Sequence, residues 1–285
     1  MITLNKAPLG KDFGTLEGDY RLPAGAPGSS CISTTGIGSA IRRMIHNFYL
    51  IEPNIRILQY AIMPDHVHIL LFVEHPTKEI LGRIIARFKV EVNKVIGAEG
   101  VFAKGFNDQI LTDNRSLDTL YKYIRDNPRR LAVRREHPEY FRRVNTLKIG
   151  ENTCQAYGNF QLLECPFKEQ IIVHRADTPE ERQQHHALWL YTAANGAVLV
   201  SPFISADEKA VRGEAEEAGG RFILIVNEPM AERYKPSGRD FELCEAGRLL
   251  IVSAVLPGAL SRTTCLAMNE LAKRICLTSQ RPAVE

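Results

Sequence analysis

The stretch Ile55–Val73 constrains the fold of this chain more than any other. Ile55–Met63 reads as one strand and His66–Val73 as another, with Pro64-Asp65 as the tight turn between them and Pro64 presetting its φ. The two strands form an antiparallel hairpin. Side chains alternate across a strand, so Val67, Ile69, Leu71 and Val73 face a core, while His66 and His68 share the other face with Leu70 and Phe72. Neutral imidazole is a common ligand of transition metals. Two of them, about 7 Å apart along the backbone, are half of a metal site that still needs an oxygen ligand. The plain alternative is a histidine pair on a half-exposed strand.

The rest of the chain decides between these readings. Its 285 residues, 45% hydrophobic and 24% charged, are those of a soluble globular protein of one large domain or two ordinary ones. No apolar run reaches the length of a membrane span, and the opening MITLNKAPLGKDF lacks the layout of a signal peptide. The cysteines (31, 154, 165, 244, 265 and 276) form no C-x-x-C pair, which points to free thiols in a reducing cytoplasm.

In chain order, residues 1–39 read as an irregular segment, turn-rich from Leu22 to Ser30, and Gly36-Ile37-Gly38 reads as flexible loop without the Lys-Ser/Thr of a phosphate loop. Ala40–Tyr49 has helical spacing, as has Thr77–Ile96, with Leu81, Ile84, Ile85, Phe88, Val92 and Val95 on one face. A further helix runs from Ser116, its candidate cap, to Asn127, where Pro128 ends it. Residues 40–150 make the first domain and 151–177 a connector. Residues 178–285 make a second domain, in which strand, helix and strand alternate at the spacing of a βαβ crossover and a parallel sheet.

Tyr123 and Asn127 share one face of the helix that precedes Pro128. A cation held by His66, His68 and the Asn127 amide oxygen keeps positions open for phosphate oxygens. A tyrosine one turn away is placed to attack phosphorus, giving a covalent phosphotyrosine. Tyr121 is the rival nucleophile, but it lies about 200° round the helix from Tyr123. Between Lys122 and Lys148 nine Lys or Arg stand against three acids, a net of +6 where the whole chain carries +3. Lys122, Arg125, Arg129, Arg130, Arg134, Arg135, Arg142 and Arg143, interleaved with Tyr140 and Phe141, suit a nucleic-acid backbone with stacked bases.

Met63-Pro64-Asp65-His66-Val67-His68-Ile69-Leu70 resembles the His-hydrophobe-His motif of HUH single-tyrosine transposases. Tyr123-Ile124-Arg125-Asp126-Asn127-Pro128 is similar to the Tyr-Ile-x-x-Asn-Pro signature of their REP-associated tyrosine transposase branch. Gly105-Phe106-Asn107-Asp108 and Tyr157-Gly158-Asn159-Phe160-Gln161-Leu162-Leu163 are also similar to that branch. The resemblance covers roughly residues 40–175. It implies a ferredoxin-like antiparallel sheet with helices, and cleavage and rejoining of single-stranded, hairpin-containing DNA through a 5′-phosphotyrosine. It further implies Tyr123 as nucleophile, His66, His68 and Asn127 as ligands of Mg²⁺ or Mn²⁺, and a homodimer. The family's opening strand, of Phe/Tyr-x-Thr type, has no recognisable counterpart in 1–39.

The second domain is weakly similar to Rossmann-like domains of the DNA-processing protein A and lysine-decarboxylase-like type, through Val198-Leu199-Val200-Ser201, Ala218–Ile225 and Gly247–Ile251. Ligands of such sheets bind beyond the carboxyl ends of the strands, here Ser201–Ser205 and Asn227–Lys235. Two other functions are compatible with these motifs: an inactive or domesticated DNA-binding relative, and a metal-dependent enzyme acting on small phosphorylated ligands with its nucleotide site in the second domain.

Overall fold

The computed structural model describes residues 1–111, 115–232, 234–256 and 258–277. The cap assigned to Ser116 and the edge residue Arg233 lie outside the described side chains and residues. Two compact units are present, Met1–Arg135 and Glu136–Glu285.

The first unit opens on a strand. β1 (Ile2–Asn5) pairs antiparallel with the histidine strand, with Thr3 opposite His68 and Asn5 opposite His66. The expectation of an irregular 1–39 is therefore corrected. Ile2 and Leu4 are fully buried while Thr3 and Asn5 take the other face. Four residues at the start of a chain carry too little alternation to be read as a strand. β2 (Gly14–Glu17) and β3 (Cys31–Thr34) form a hairpin after it. α1 (Gly36–His46) follows, capped by Thr35 accepting from the Gly38 N–H. Gly38 belongs to this helix rather than to a flexible loop, and a Cβ there would collide with the Phe13 carbonyl, which accounts for the glycine.

β4 (Ile55–Ile62) and β5 (His66–Val73) form the expected hairpin. α2 spans Leu81–Ile96, starting later than Thr77, whose hydroxyl bonds the Glu79 carbonyl instead of capping the helix. β6 (Asn107–Asp108) completes a four-stranded antiparallel sheet in the order β4-β5-β1-β6. With α1 between β1 and β4 and α2 between β5 and β6, this is the ferredoxin-like β-α-β-β-α-β arrangement. Ile2, Leu4, Val67 and Ile69 pack against Ile41 and Ile45 of α1 and Ile84, Phe88 and Val92 of α2. Leu71 is only half-buried and Val73 exposed, so the predicted core face holds for the first half of β5.

α3 runs from Arg115 to Glu136 with Pro128 inside it, so the proline does not end the helix. A mid-helix proline costs about 3 kcal/mol through the lost N–H and ring clash. Burial of Ile124, Ala132 and Val133 on both sides of it opposes that cost. In the turn before the ring, the Asn127 side-chain amide donates to the Tyr123 carbonyl at 2.9 Å.

The second unit is built on a six-stranded mixed sheet. Its elements are β7 (Arg142–Ile149), β8 (Asn152–Gly158), α4 (Gln161–Glu164), β9 (Lys168–Gln170), α5 (Pro179–Ala194), β10 (Val198–Ser201), α6 (Ala206–Glu217), β11 (Arg221–Val226), α7 (Gly238–Glu245), β12 (Leu249–Ser253) and α8 (Arg262–Leu277). The order is β7-β8-β12-β11-β10-β9, with β9 to β12 parallel and the β7–β8 hairpin antiparallel on β12. Residues assigned by sequence to the end of the first domain and to a connector are thus strands of this sheet. β10 to β12 are apolar on both faces, as a covered Rossmann-like sheet requires. Trp189, Val211, Ala215 and Cys244, from α5, α6 and α7, cover one face; Leu163 of α4 and Met268, Leu271 and Ile275 of α8 cover the other.

The Tyr157–Leu163 motif makes the corner from β8 into α4. A Cβ at Gly158, whose φ is +128°, would collide with the Leu249 carbonyl. Asn159 donates from its backbone to Leu249 O and from its side chain to Gly247 O at 2.7 Å. The motif therefore fastens β8 to β12.

Candidate metal and nucleophile site

β5 places both histidines on the sheet face opposite α1 and α2. Their rings stand with centroids 4.6 Å apart, and His66 Nε2 lies 3.1 Å from His68 Nε2. The outer nitrogens are both tied. His66 Nδ1 meets Asp65 Oδ1 at 2.7 Å, and His68 Nδ1 meets Thr3 Oγ1 at 2.9 Å. A carboxylate only accepts, so the Asp65 contact puts the His66 proton on Nδ1 and leaves Nε2 as a lone pair. The Thr3 hydroxyl serves either tautomer of His68. When it donates, His68 Nε2–H donates to His66 and the pair is a closed hydrogen-bond chain. When it accepts, both Nε2 lone pairs aim at one point.

Two nitrogens bound at about 2.0–2.1 Å to one divalent ion, at angles of roughly 90–109°, stand about 2.9–3.4 Å apart. The observed separation fits that span. Both histidines also carry the outer hydrogen bond that metal-ligating imidazoles use to fix tautomer and orientation. Among the described residues no group of three His, Cys, Asp or Glu is placed to hold a metal. The amide oxygen of Asn127, the third ligand expected from the sequence, is a donor of another kind.

α3 brings the tyrosine to this face. The Tyr123 ring is half-buried, with its centroid 5.6 Å from that of His68 at 61°. Asn127 is buried one turn on, its side-chain amide donating one N–H to the Tyr123 carbonyl at 2.9 Å. The structure thus brings His66, His68 and Tyr123 together and fixes Asn127 on the same helix. Sequence reasoning missed Thr3, Asp65 and the placement of Arg130, whose guanidinium lies 5.3 Å from the Tyr123 ring centroid. Asp65 was legible as the neighbour of His66; Thr3 was not, because its strand was not.

The basic residues divide by environment. Lys122, Arg125 and Arg135 are exposed and Arg134 is half-buried. Arg129 donates to the Tyr20 carbonyl at 3.1 Å, tying α3 to the N-terminal segment, while Arg130 is buried. In the second unit Arg142 is exposed over the Phe160 ring. Arg143 donates to the carbonyls of Met230, Ala231 and Glu232, which gives it a loop-holding role in that unit. Tyr140 packs under Gly247 and Phe141 against Phe241, so both aromatics belong to packing.

At the strand-end edge of the second unit, the buried Glu208 carboxylate accepts the N–H groups of Val173, Ile204 and Ser205. The Glu208 carboxylate thereby closes the capping box that opens α6, with Ser205 Oγ accepting the Glu208 N–H in return.

No protein-family model matches the chain. A search of curated proteins finds similarity to an uncharacterized protein of Haemophilus influenzae, 22% identical over 116 residues, covering 32% of this chain and 64% of the relative. The chain thus spans a little under two thirds of the length of the curated relative it matches. Among solved structures it is similar to DNA processing protein A from Helicobacter pylori, described for its single-stranded DNA binding mode. That likeness has a TM-score of 0.32 and 22% identity, over 45% of this chain and 60% of that one. Among the described residues no helix is long and apolar enough to cross a membrane.

Proposed function

We propose that the first unit is a single-stranded DNA strand transferase of the HUH single-tyrosine kind, acting on hairpin-containing DNA, with the full protein working as a homodimer. The observation that carries this reading is the convergence of His66 and His68 Nε2 at 3.1 Å with the Tyr123 ring against His68. In the cleavage step Tyr123 Oη bonds to phosphorus, the P–O3′ bond breaks, and the phenolic proton leaves with the released 3′-oxygen or to solvent. The product is a 5′-phosphotyrosine and a free 3′-hydroxyl, and attack by a 3′-hydroxyl reverses it. His66, His68 and the Asn127 amide oxygen would hold Mg²⁺ or Mn²⁺. Lewis-acid polarisation of a phosphate oxygen is the chemistry such an ion supplies when bound. Asp65 and Thr3 hold the imidazoles in place, and Lys122, Arg125 and Arg135 offer exposed charge to the phosphate backbone.

The test is a denaturing-gel assay for a covalent adduct between the full-length chain and single-stranded hairpin oligonucleotides with Mn²⁺ or Mg²⁺. Wild type forms the adduct and Tyr123→Phe does not, while both bind the hairpin. Binding by wild type without adduct on any such DNA leaves the DNA-binding relative as the correct reading and sinks the enzyme.

A further inference from the structure

The buried face of α3 carries polar groups where a helix normally carries an apolar stripe. Tyr123, Asn127 and Arg130 stand at i, i+4 and i+7, the spacing of residues that share one side of a helix. Asn127 is 4% and Arg130 8% exposed, whereas Lys122 and Arg125 on the same helix are exposed. The Arg130 guanidinium carbon lies over the Tyr123 ring, 5.3 Å from the centroid.

We infer that Arg130 is the positioning residue of Tyr123, its guanidinium stacking on the phenol ring and holding it against His68. This rests on the reading of Tyr123 as nucleophile and reassigns Arg130 from the DNA-contacting set. A tyrosine side chain turns about two bonds, and a half-buried ring with contact on one side only samples more than one tilt. The imidazole of His68 meets the ring at 61° and the guanidinium lies over it, so two different groups restrict that tilt. The Asn127 amide fixes the backbone from which the ring springs. Misplacing a reacting atom by about 1 Å costs on the order of 100-fold in rate. The stacking depends on a planar cation, which lysine does not supply.

The experiment compares wild type, R130Q and R130K in the full-length chain by two readouts. The first is the aromatic ¹H–¹³C NMR spectrum without DNA, with the Tyr123 signal assigned by its loss in Y123F. Both variants are expected to shift and broaden that signal while the other tyrosine signals stay put. The second is single-turnover adduct formation at saturating hairpin DNA with Mn²⁺. The rate is expected to fall at least 10-fold in both variants, with Kd for the hairpin within 2-fold of wild type. An unchanged Tyr123 signal overturns the inference, as does a Kd raised 10-fold at an unchanged rate, which would make Arg130 a backbone contact. Loss of all dispersed tyrosine signals in both variants makes Arg130 a folding residue and likewise overturns it. If wild type forms no adduct, the transferase reading fails on its own, and the NMR arm still decides whether Arg130 positions the ring.

Discussion

Replacing Thr3 by Val tests the paired histidines through a residue that neither binds DNA nor carries charge in the proposed scheme. Thr3 reaches His68 Nδ1 at 2.9 Å from the neighbouring strand. Valine keeps the shape and the β-branching, so β1 retains its strand preference, and Ile2 and Leu4 still pack on the opposite face. What is lost is one hydrogen bond to an imidazole whose residue is 7% exposed. Leaving that nitrogen without a partner costs roughly 1–3 kcal/mol of stability. Removing the outer partner of a metal-ligating histidine typically lowers metal affinity by about 10–100-fold, or about 1.4–2.7 kcal/mol. The two effects separate in the assay. Thermal unfolding of the apo chain reads the first, and Mn²⁺ titration followed by the electron paramagnetic resonance of the free ion reads the second. We expect T3V to bind Mn²⁺ at least 10-fold more weakly than wild type, and T3S, which keeps the hydroxyl, to recover most of the difference. Folded T3V that binds Mn²⁺ as tightly as wild type would refute the assignment of Thr3 as the group that orients His68. Absence of Mn²⁺ binding by wild type at millimolar ion would remove the metal site itself.

Further consequences are open to direct measurement. Arg125→Gln, an exposed change, should weaken hairpin DNA binding and lower the slope of log K against log salt by about one, read by fluorescence anisotropy at several salt concentrations; an unchanged slope removes Arg125 from the DNA interface. Gly158→Ala should destabilise the second unit by about 2 kcal/mol or more, since it adds a collision with Leu249 O to a backbone at φ +128°; a denaturation midpoint equal to wild type contradicts the tight corner. Burial pushes Cys154 up to about 11 and Cys244 and Cys276 to about 12, from 9.0. Their contribution to stability is complete below pH 9 and is lost as pH rises from 9 towards 12, because the unfolded chain releases those protons first. Stability against urea should therefore fall through that window, and less steeply in Cys244→Ala; an identical slope in the variant would exclude Cys244 as a source.

How much of this was legible depended on how far apart the cooperating residues lie in sequence. The β4–β5 hairpin was readable because two apolar runs flank Pro64-Asp65, and the shared face of His66 and His68 follows from strand alternation alone. The crossovers of the second unit were readable for the same local reasons: Thr178 and Ser205 each cap a helix reciprocally with a glutamate three residues on. Three features were not. β1 is four residues long and its meaning comes from pairing with a strand 65 residues away. β7 alternates Arg142, Asn145 and Lys148 with buried Val144, Leu147 and Ile149, so its charges suggested a DNA-facing run where one face packs on a core. Pro128 carries a local rule that ends helices, and the buried Ala132 and Val133 beyond it outweigh that rule.

The last failure hid the most informative part of the site. With α3 ending at Asn127, as the proline rule predicts, Arg130 has no helix to share with Tyr123 and falls among the DNA-contacting cations. With the helix continuous, the same residue falls two turns from Tyr123 on the buried side, and a charge that looked like part of a DNA footprint becomes a contact of the candidate nucleophile. The break that the proline rule imposes and the polar stripe it conceals concern the same turn of helix. That is where local preference and function are expected to disagree: a proline that costs about 3 kcal/mol inside a helix stands one residue after Asn127, on the helix that carries the candidate nucleophile.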